Sequence, residues 1–366
     1  MTDPVDIAQR KADHIDLCAT GDVGFRDKTT LLEEVEFFHD SVPELAVAEI
    51  DTSTTLFGKR LAAPILIASM TGGTDKARSI NLELARIAEE EGIGIGLGSQ
   101  RPMLRHGAEK DTTYDVRSVA KNVLLLGNIG AVQAAVSGVS AIQDLVDRVG
   151  ADALCLHLNP AQEIVQPEGD RDFSGVLAVL ERMQRELSVP VLAKETGCGI
   201  GPKAAAKIAK TGVKHIDVSG AGGTSWVAVE MARAEGPRKE LGRLLRDWGI
   251  PTAASILFAA RAKPRFETII ATGGLQSGLD VARAIALGAS AAGIARPVLQ
   301  ALTAGGPDAA RAFIRQVHTE LVAVMLLVGV RSLAELRAVG PLLGPNLSRW
   351  AELGDRQKSA KKKKQK

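Results

Sequence analysis

Eight short apolar, β-branched runs recur along the chain with amphipathic stretches between them: residues 65–68, 93–97, 123–126, 153–156, 191–193, 215–218, 268–271 and 291–294. Their starts lie 28, 30, 30, 38, 24, 53 and 23 residues apart, and five of these seven gaps match one βα unit. The gap of 53 must hold an insertion, roughly over 226–263. Helical filling is visible between the runs. Ala77, Ile80, Leu84, Ile87 and Ala88 share one face after the first run, and Val281, Ala284, Ile285 and Gly288 do so after the seventh. Eight such units close into a parallel barrel, so the predicted fold is an α/β (β/α)8 TIM barrel. Its expected divisions are an N-terminal arm and lead-in over 1–60, the barrel over 61–335, a C-terminal helical extension over 336–355 and a basic, disordered tail over 356–366. Ile314, Val317, Leu321 and Val324 predict an amphipathic helix ending at Gly329.

Composition agrees with layered β/α packing. Only 12 of 366 residues are aromatic, so the core must be built from Ala, Val, Ile and Leu. The formal charge of +2 averages two unlike regions: 356–366 holds seven basic residues and no acid, while 1–355 carries 38 basic and 43 acidic groups. A mildly acidic body with a basic appendix is a poor nucleic-acid binder, and no nucleic-acid partner is expected. Three cysteines, Cys18, Cys155 and Cys198, form neither a disulfide framework nor a zinc knuckle. The charged first 20 residues lack a signal peptide's apolar core, and the longest apolar stretch, 321–330, is far below the roughly 18–20 residues of a membrane span. The expectation is a soluble cytoplasmic protein without a membrane partner.

Barrel chemistry sits where the strands end, and all eight ends carry glycine or polar residues. They read Ser69-Met70-Thr71-Gly72-Gly73, Gly98-Ser99-Gln100-Arg101, Gly127-Asn128-Ile129-Gly130, His157-Leu158-Asn159-Pro160-Ala161-Gln162-Glu163, Lys194-Glu195, Ser219 through Trp226, Thr272-Gly273-Gly274 and Ala295-Arg296. Gly273-Gly274 before a helix starting near Ser277 offers backbone N–H groups and a helix N-terminus for phosphate. A Rossmann reading of Gly92, Gly94, Gly96 and Gly98 fails, because Ser99 stands where a third fingerprint glycine is needed.

Lys194 ends an otherwise apolar strand and needs an anion, either a neighbour such as Glu195 or Asp217 or an anionic cofactor ring. His157, Asn159, Gln162 and Glu163 form the densest polar cluster. Asn159 and Glu163 suit helix capping, and equally a hard cation held by one carboxylate plus a phosphate. Arg10, Lys11 and His14 are solvated charge, or phosphate ligands if the arm folds over the mouth.

These motifs together resemble the type 2, flavin-dependent isopentenyl diphosphate isomerases over nearly the whole chain. The resemblance rests on Arg10-Lys11 with His14, Met70-Thr71-Gly72-Gly73, Gly98-Ser99-Gln100-Arg101, the segment from Leu156 to Glu163, and Gly222-Gly223-Thr224-Ser225-Trp226. The segment from Trp248 to Ser255, and Gly273-Gly274 with the run from Gly278 to Ala282, also match. It implies FMN at Ser69, Met70, Thr71, Ser99, Asn128, Lys194, Ser219, Thr224, Gly273, Gly274, Ala295 and Arg296, and Mg²⁺ on Glu163. Arg10, Lys11, Ser99, Arg101, His157, Asn159, Gln162 and Trp226 would line the site for isopentenyl diphosphate, with Lys194, Gln162 and His157 as the catalytic set. Reduced FMN would serve as acid and base, NADPH would only reduce it, and the protein would be a homo-oligomer, tetramer or octamer. Cys198 stands where an aromatic is common in the family, and the chain beyond about Asp355 has no counterpart there.

Two rival flavin barrels and one non-catalytic reading compete. A 2-hydroxy acid oxidase needs His and Arg after the sixth strand, where Ala221 and Thr224 stand. An inosinate-type dehydrogenase needs a nucleophilic thiolate, for which Cys198 is the only candidate. A scaffold relic has no reason to keep Arg10, Lys11, Gln162, Glu163 and Lys194 together.

Overall fold

The computed structural model describes residues 4–106 and 112–364, with side chains described for 10–104 and 112–354. Eight parallel strands close into a barrel in chain order, and each falls on one of the eight predicted runs. They are Ile65–Ile67, Gly94–Gly96, Leu124–Gly130, Ala153–Leu158, Val191–Glu195, His215–Asp217, Thr268–Ala271 and Ala291–Ile294. The third, fourth and fifth strands run past the apolar runs into the polar ends that follow them.

The register explains why those ends converge. Gly130 pairs with His157, His157 with Lys194, and Lys194 with Asp217, so one row across the third to sixth strands carries three ionisable side chains at the mouth. Period-two alternation sends Cys155 and Leu192, two residues earlier on their strands, into the barrel below them.

The opposite end is plugged. Residues Thr54–Leu56 and Lys59–Leu61 form an antiparallel hairpin, turned by Phe57 and Gly58, both at positive φ, in the manner of a two-residue turn. Leu56 and Leu61 pack with Leu66, Leu124, Leu126, Leu192 and Ile270 in a barrel-floor cluster. The main core is a separate layer between strands and surrounding helices, built almost wholly from aliphatic residues, with Tyr114 among the few buried rings.

The insertion in the long sixth gap consists of helices Trp226–Arg233 and Gly236–Leu245, followed by the apolar barrel helix Thr252–Ala260. Ser225 starts the first by accepting from the Ala228 N–H at 3.2 Å. The lead-in before the barrel holds helix Pro4–Thr20, which packs against the helices that begin at Trp226 and Arg296. After the last strand, the helix Arg296–Val328 breaks at Gly305-Gly306 and ends, as expected, at Gly329 in left-handed conformation with paired N–H bonds to Leu326 and Met325. The final helix, Pro345–Lys364, runs into the stretch expected as a basic tail. The side chains of that tail, and all of residues 365–366, lie outside the described residues. Among the described residues no helix is long and apolar enough to cross a membrane.

Candidate active site

The strand ends, the helix Pro4–Thr20 and the helix Trp226–Arg233 enclose a cavity of about 480 Å³ at the C-terminal mouth of the barrel. Every residue that the resemblance assigns to flavin, metal or substrate lines it: Ser69, Met70, Thr71, Ser99, Arg101, Asn128, His157, Asn159, Gln162, Glu163, Lys194, Ser219, Thr224, Trp226, Gly273, Gly274, Ala295 and Arg296, with Arg10 and Lys11 from above.

Lys194 resolves one open alternative. Its Nζ donates to Asp217 Oδ2 at 2.8 Å, and Asp217 Oδ1 accepts from Thr272 Oγ1 at 2.5 Å and from the Ser219 N–H at 3.1 Å. Glu195 points elsewhere: its Oε2 accepts the backbone N–H groups of Thr196, Gly197, Cys198 and Gly199 and so pins the loop after the fifth strand. Burial pushes the Glu195 carboxyl up to about 7 against those four donors.

His157 Nδ1 lies 2.9 Å from Asn128 Oδ1, while Asn128 donates through Nδ2 to the Leu97 carbonyl at 3.1 Å. An amide oriented that way accepts from Nδ1–H and leaves Nε2 as an acceptor. Burial, then the cations Lys11, Lys194 and Arg101, hold His157 down to about 3, so it is neutral near pH 7.

Asn159 does not cap its helix through its side chain. Its Nδ2 instead donates to Glu163 Oε1 at 2.8 Å and Gln162 Oε1 at 3.2 Å, and Glu163 Oε2 accepts the Asp170 N–H at 2.7 Å. Burial raises Glu163, which favours a cation beside it. Among the described residues no three His, Cys, Asp or Glu side chains cluster as a metal site, so a cation on Glu163 needs further ligands from a bound anion.

Sequence reasoning missed the acids that hold the roof. Glu230, fully buried, lies 3.0 Å from His14 Nε2, accepts from Gln162 Nε2 at 3.0 Å and pairs with Arg233 at 2.9 Å. Its only trace was one acid in an apolar helix. Glu168 takes Arg10 Nη1 at 2.8 Å. The rings of His14 and Trp226 meet edge to face at 5.3 Å.

One local expectation is corrected. The helix Gly278–Ala286 after the seventh strand does not offer its N-terminus to the cavity. Ser277 Oγ accepts the Asp280 N–H, Asp280 Oδ2 the Gln276 N–H and Glu320 Oε2 the Gly278 N–H. The glycines themselves form the wall: a Cβ on Gly273, at φ +104°, would sit 2.1 Å from the Gly220 carbonyl oxygen, and one on Gly223 would sit 2.4 Å from the Gly274 nitrogen. The next helix begins at Arg296 with no side-chain cap at Ala295. The Arg296 guanidinium is committed to the roof, donating to the carbonyls of Cys18 at 2.9 Å and Gly21 at 2.6 Å.

The rivals fit poorly. His215 lies at the plugged end against Phe57, 4.9 Å between rings, so the sixth strand brings no histidine to the mouth. Burial, then Glu195, pushes the Cys198 thiol well up, away from a nucleophilic thiolate.

A family model for the FMN-dependent dehydrogenases matches residues 6–109 and 156–339. The isopentenyl-diphosphate delta-isomerase of Nostoc sp. is 44% identical over 344 residues, 93% of this chain and 97% of that one. Those of Methanococcoides burtonii (42% identical, 90% of this chain and 91% of that one) and Sulfurisphaera tokodaii (38%, 95% of each) align end to end as well. Among solved structures, a mandelate oxidase variant with a monooxide FMN adduct superposes with a TM-score of 0.60 over 94% of this chain and all of that one, at 20% identity. A lactate oxidase from Pediococcus acidilactici does so with a TM-score of 0.64, over 94% and 95%, at 14% identity. These last two share the fold.

Proposed function

Since the chain belongs to the type 2 isopentenyl-diphosphate delta-isomerases, within the FMN-dependent dehydrogenase family, we propose that it converts isopentenyl diphosphate to dimethylallyl diphosphate with FMN, Mg²⁺ and NADPH. The observation that carries this reading is the joining, in one cavity, of a buried lysine on the barrel wall and a roof of basic side chains above a lone carboxylate.

The cavity fits a flavin. Thr71 Oγ1 is buried there without a partner among the described residues, a polar atom that a heteroatom-rich ring would satisfy. The backbone wall of Gly222, Gly223, Gly273 and Gly274, with the uncapped helix start at Ala295 and Arg296, suits its phosphate. Ser69, Met70, Ser99, Asn128, Ser219 and Thr224 complete the contact surface.

When bound, reduced FMN would supply the acid and base for shifting the double bond without net oxidation, and NADPH would serve only to reduce it. Lys194, fixed by Asp217, would hold positive charge toward the reduced ring. Arg10, Lys11 and Arg101 would take the diphosphate, and Glu163, whose carboxylate Asn159 orients, would hold the Mg²⁺ that neutralises it. His157, kept neutral, accepts through Nε2. Gln162, held by Glu230, and Trp226, braced by His14, position the isoprenoid and exclude water. Cytoplasmic location and a tetrameric or octameric assembly belong to the same reading, the assembly being checked by light scattering.

The test is an anaerobic assay with isopentenyl diphosphate, FMN, NADPH and Mg²⁺. Dimethylallyl diphosphate is the expected product, and its absence overturns the assignment.

A further inference from the structure

Arg10 sits between two kinds of neighbour. On one side Nη1 donates to Glu168 Oε1 at 2.8 Å, and the Gln166 amide, turned so that its nitrogen faces Glu230, adds its oxygen at 3.0 Å. On the other, Nε is buried with no hydrogen-bond partner among the described residues. The side chains of Arg10 and Glu168 are 8% and 15% exposed, and Arg233 Nη1 reaches the same Glu168 oxygen at 3.9 Å. One edge of the guanidinium is therefore neutralised in advance while the other waits for an acceptor.

We propose that Glu168 is a resident counter-anion whose pairing with Arg10 sets how tightly the roof holds a diphosphate. It touches no reacting atom and acts through Arg10 as a positioning residue. The inference rests on the diphosphate reading of the cavity. Two charge effects follow. Without Glu168 the buried guanidinium would be unpaired, a state that costs stability until an anion arrives. With it, an incoming diphosphate meets a cation already half spent and a like charge nearby, which weakens its hold and speeds release of a product bearing the same diphosphate. A residue that only steadied Arg10 would have the opposite effect, since its loss would loosen anion binding.

The experiment uses the full FMN-loaded chain with Mg²⁺ and inorganic pyrophosphate as the calorimetric probe, alongside turnover of isopentenyl diphosphate. Glu168→Gln keeps an acceptor for Nη1 and removes the charge. It is expected to bind pyrophosphate about five- to ten-fold more tightly, with KM falling in proportion and kcat not rising. Glu168→Asp, which keeps the charge one methylene back, is expected to fall between the two and serves if the first variant folds poorly. In an Arg10→Ala background the Glu168→Gln effect should shrink below two-fold. Unchanged or weaker pyrophosphate binding by Glu168→Gln, or an undiminished effect without Arg10, overturns the proposal. A parent protein that binds pyrophosphate but makes no dimethylallyl diphosphate overturns the isomerase reading instead, and the binding measurements still judge Glu168.

Discussion

Lys194 and Asp217 face each other across neighbouring strands at 2.8 Å, both buried, with the carboxylate's second oxygen tied to Thr272 and the Ser219 backbone. The pair is made by register, because the two residues are direct partners on the fifth and sixth strands. Removing one member strands the other. Asp217→Ala should cost about 3–5 kcal/mol of stability in urea unfolding of the FMN-free protein. Lys194→Ala should lose turnover while FMN binding is weakened rather than abolished, and unchanged turnover would sink its role.

Thr71→Val gives a test with opposite signs in two states. The hydroxyl has no partner in the cavity wall, so the FMN-free variant should unfold at equal or higher urea concentration. The loaded variant should bind FMN more weakly, by roughly ten-fold if a hydrogen bond is lost, measured by flavin fluorescence quenching. Equal FMN affinity in the two proteins would show that the ring does not use this atom.

His157 predicts an acid limb. Its folded pKa, about 3, lies below the unfolded value near 6.5, so the unfolded chain takes up a proton that the native site refuses. The contribution is complete above pH 6.5 and is lost as pH falls toward 3, at about 1.4 kcal/mol per pH unit inside that window. Unfolding curves of His157→Gln should show a shallower loss between pH 6 and about 4; parallel curves refute the assignment.

Glu163→Gln keeps one of the two hydrogen bonds that Asn159 and Asp170 donate to separate carboxylate oxygens, and removes the charge that would hold a cation. The Mg²⁺ concentration for half-maximal turnover should rise by roughly ten-fold or more, with a stability loss of about 1–3 kcal/mol for the donor left facing the amide nitrogen. A requirement identical to that of the parent removes Glu163 from the metal.

The barrel was legible because its strands are single apolar runs whose spacing fits little else, and the mouth because strand ends are fixed points in that fold. What stayed hidden depends on geometry without local pattern. Glu168 and Glu230 lie on a loop and an inserted helix, and their partners Arg10 and His14 are far away in sequence. The closed N-terminus of the helix Gly278–Ala286 stayed hidden for a related reason. Ser277 and Asp280 look like an ordinary cap, and only the third donor-taker, Glu320 from a later helix, closes that terminus. The choice between Glu195 and Asp217 for Lys194 could not be read from spacing either. Both acids are near in the chain, but only Asp217 stands opposite the lysine in register, while Glu195 points the other way along its own strand.

The grip of Arg296 on Cys18 and Gly21 also imposes an order of assembly. Those bonds join residues 278 and 275 apart, and Arg246 adds Asp22 and Gly24 across more than 220. Contacts of such span close the largest loops and are made late. The earlier segment can therefore complete its docking only when the eighth strand has delivered its arginine. A nascent chain holding seven strands already owns most of the polar mouth, yet the arm above it still lacks the clamp of Arg296 and the helix that follows.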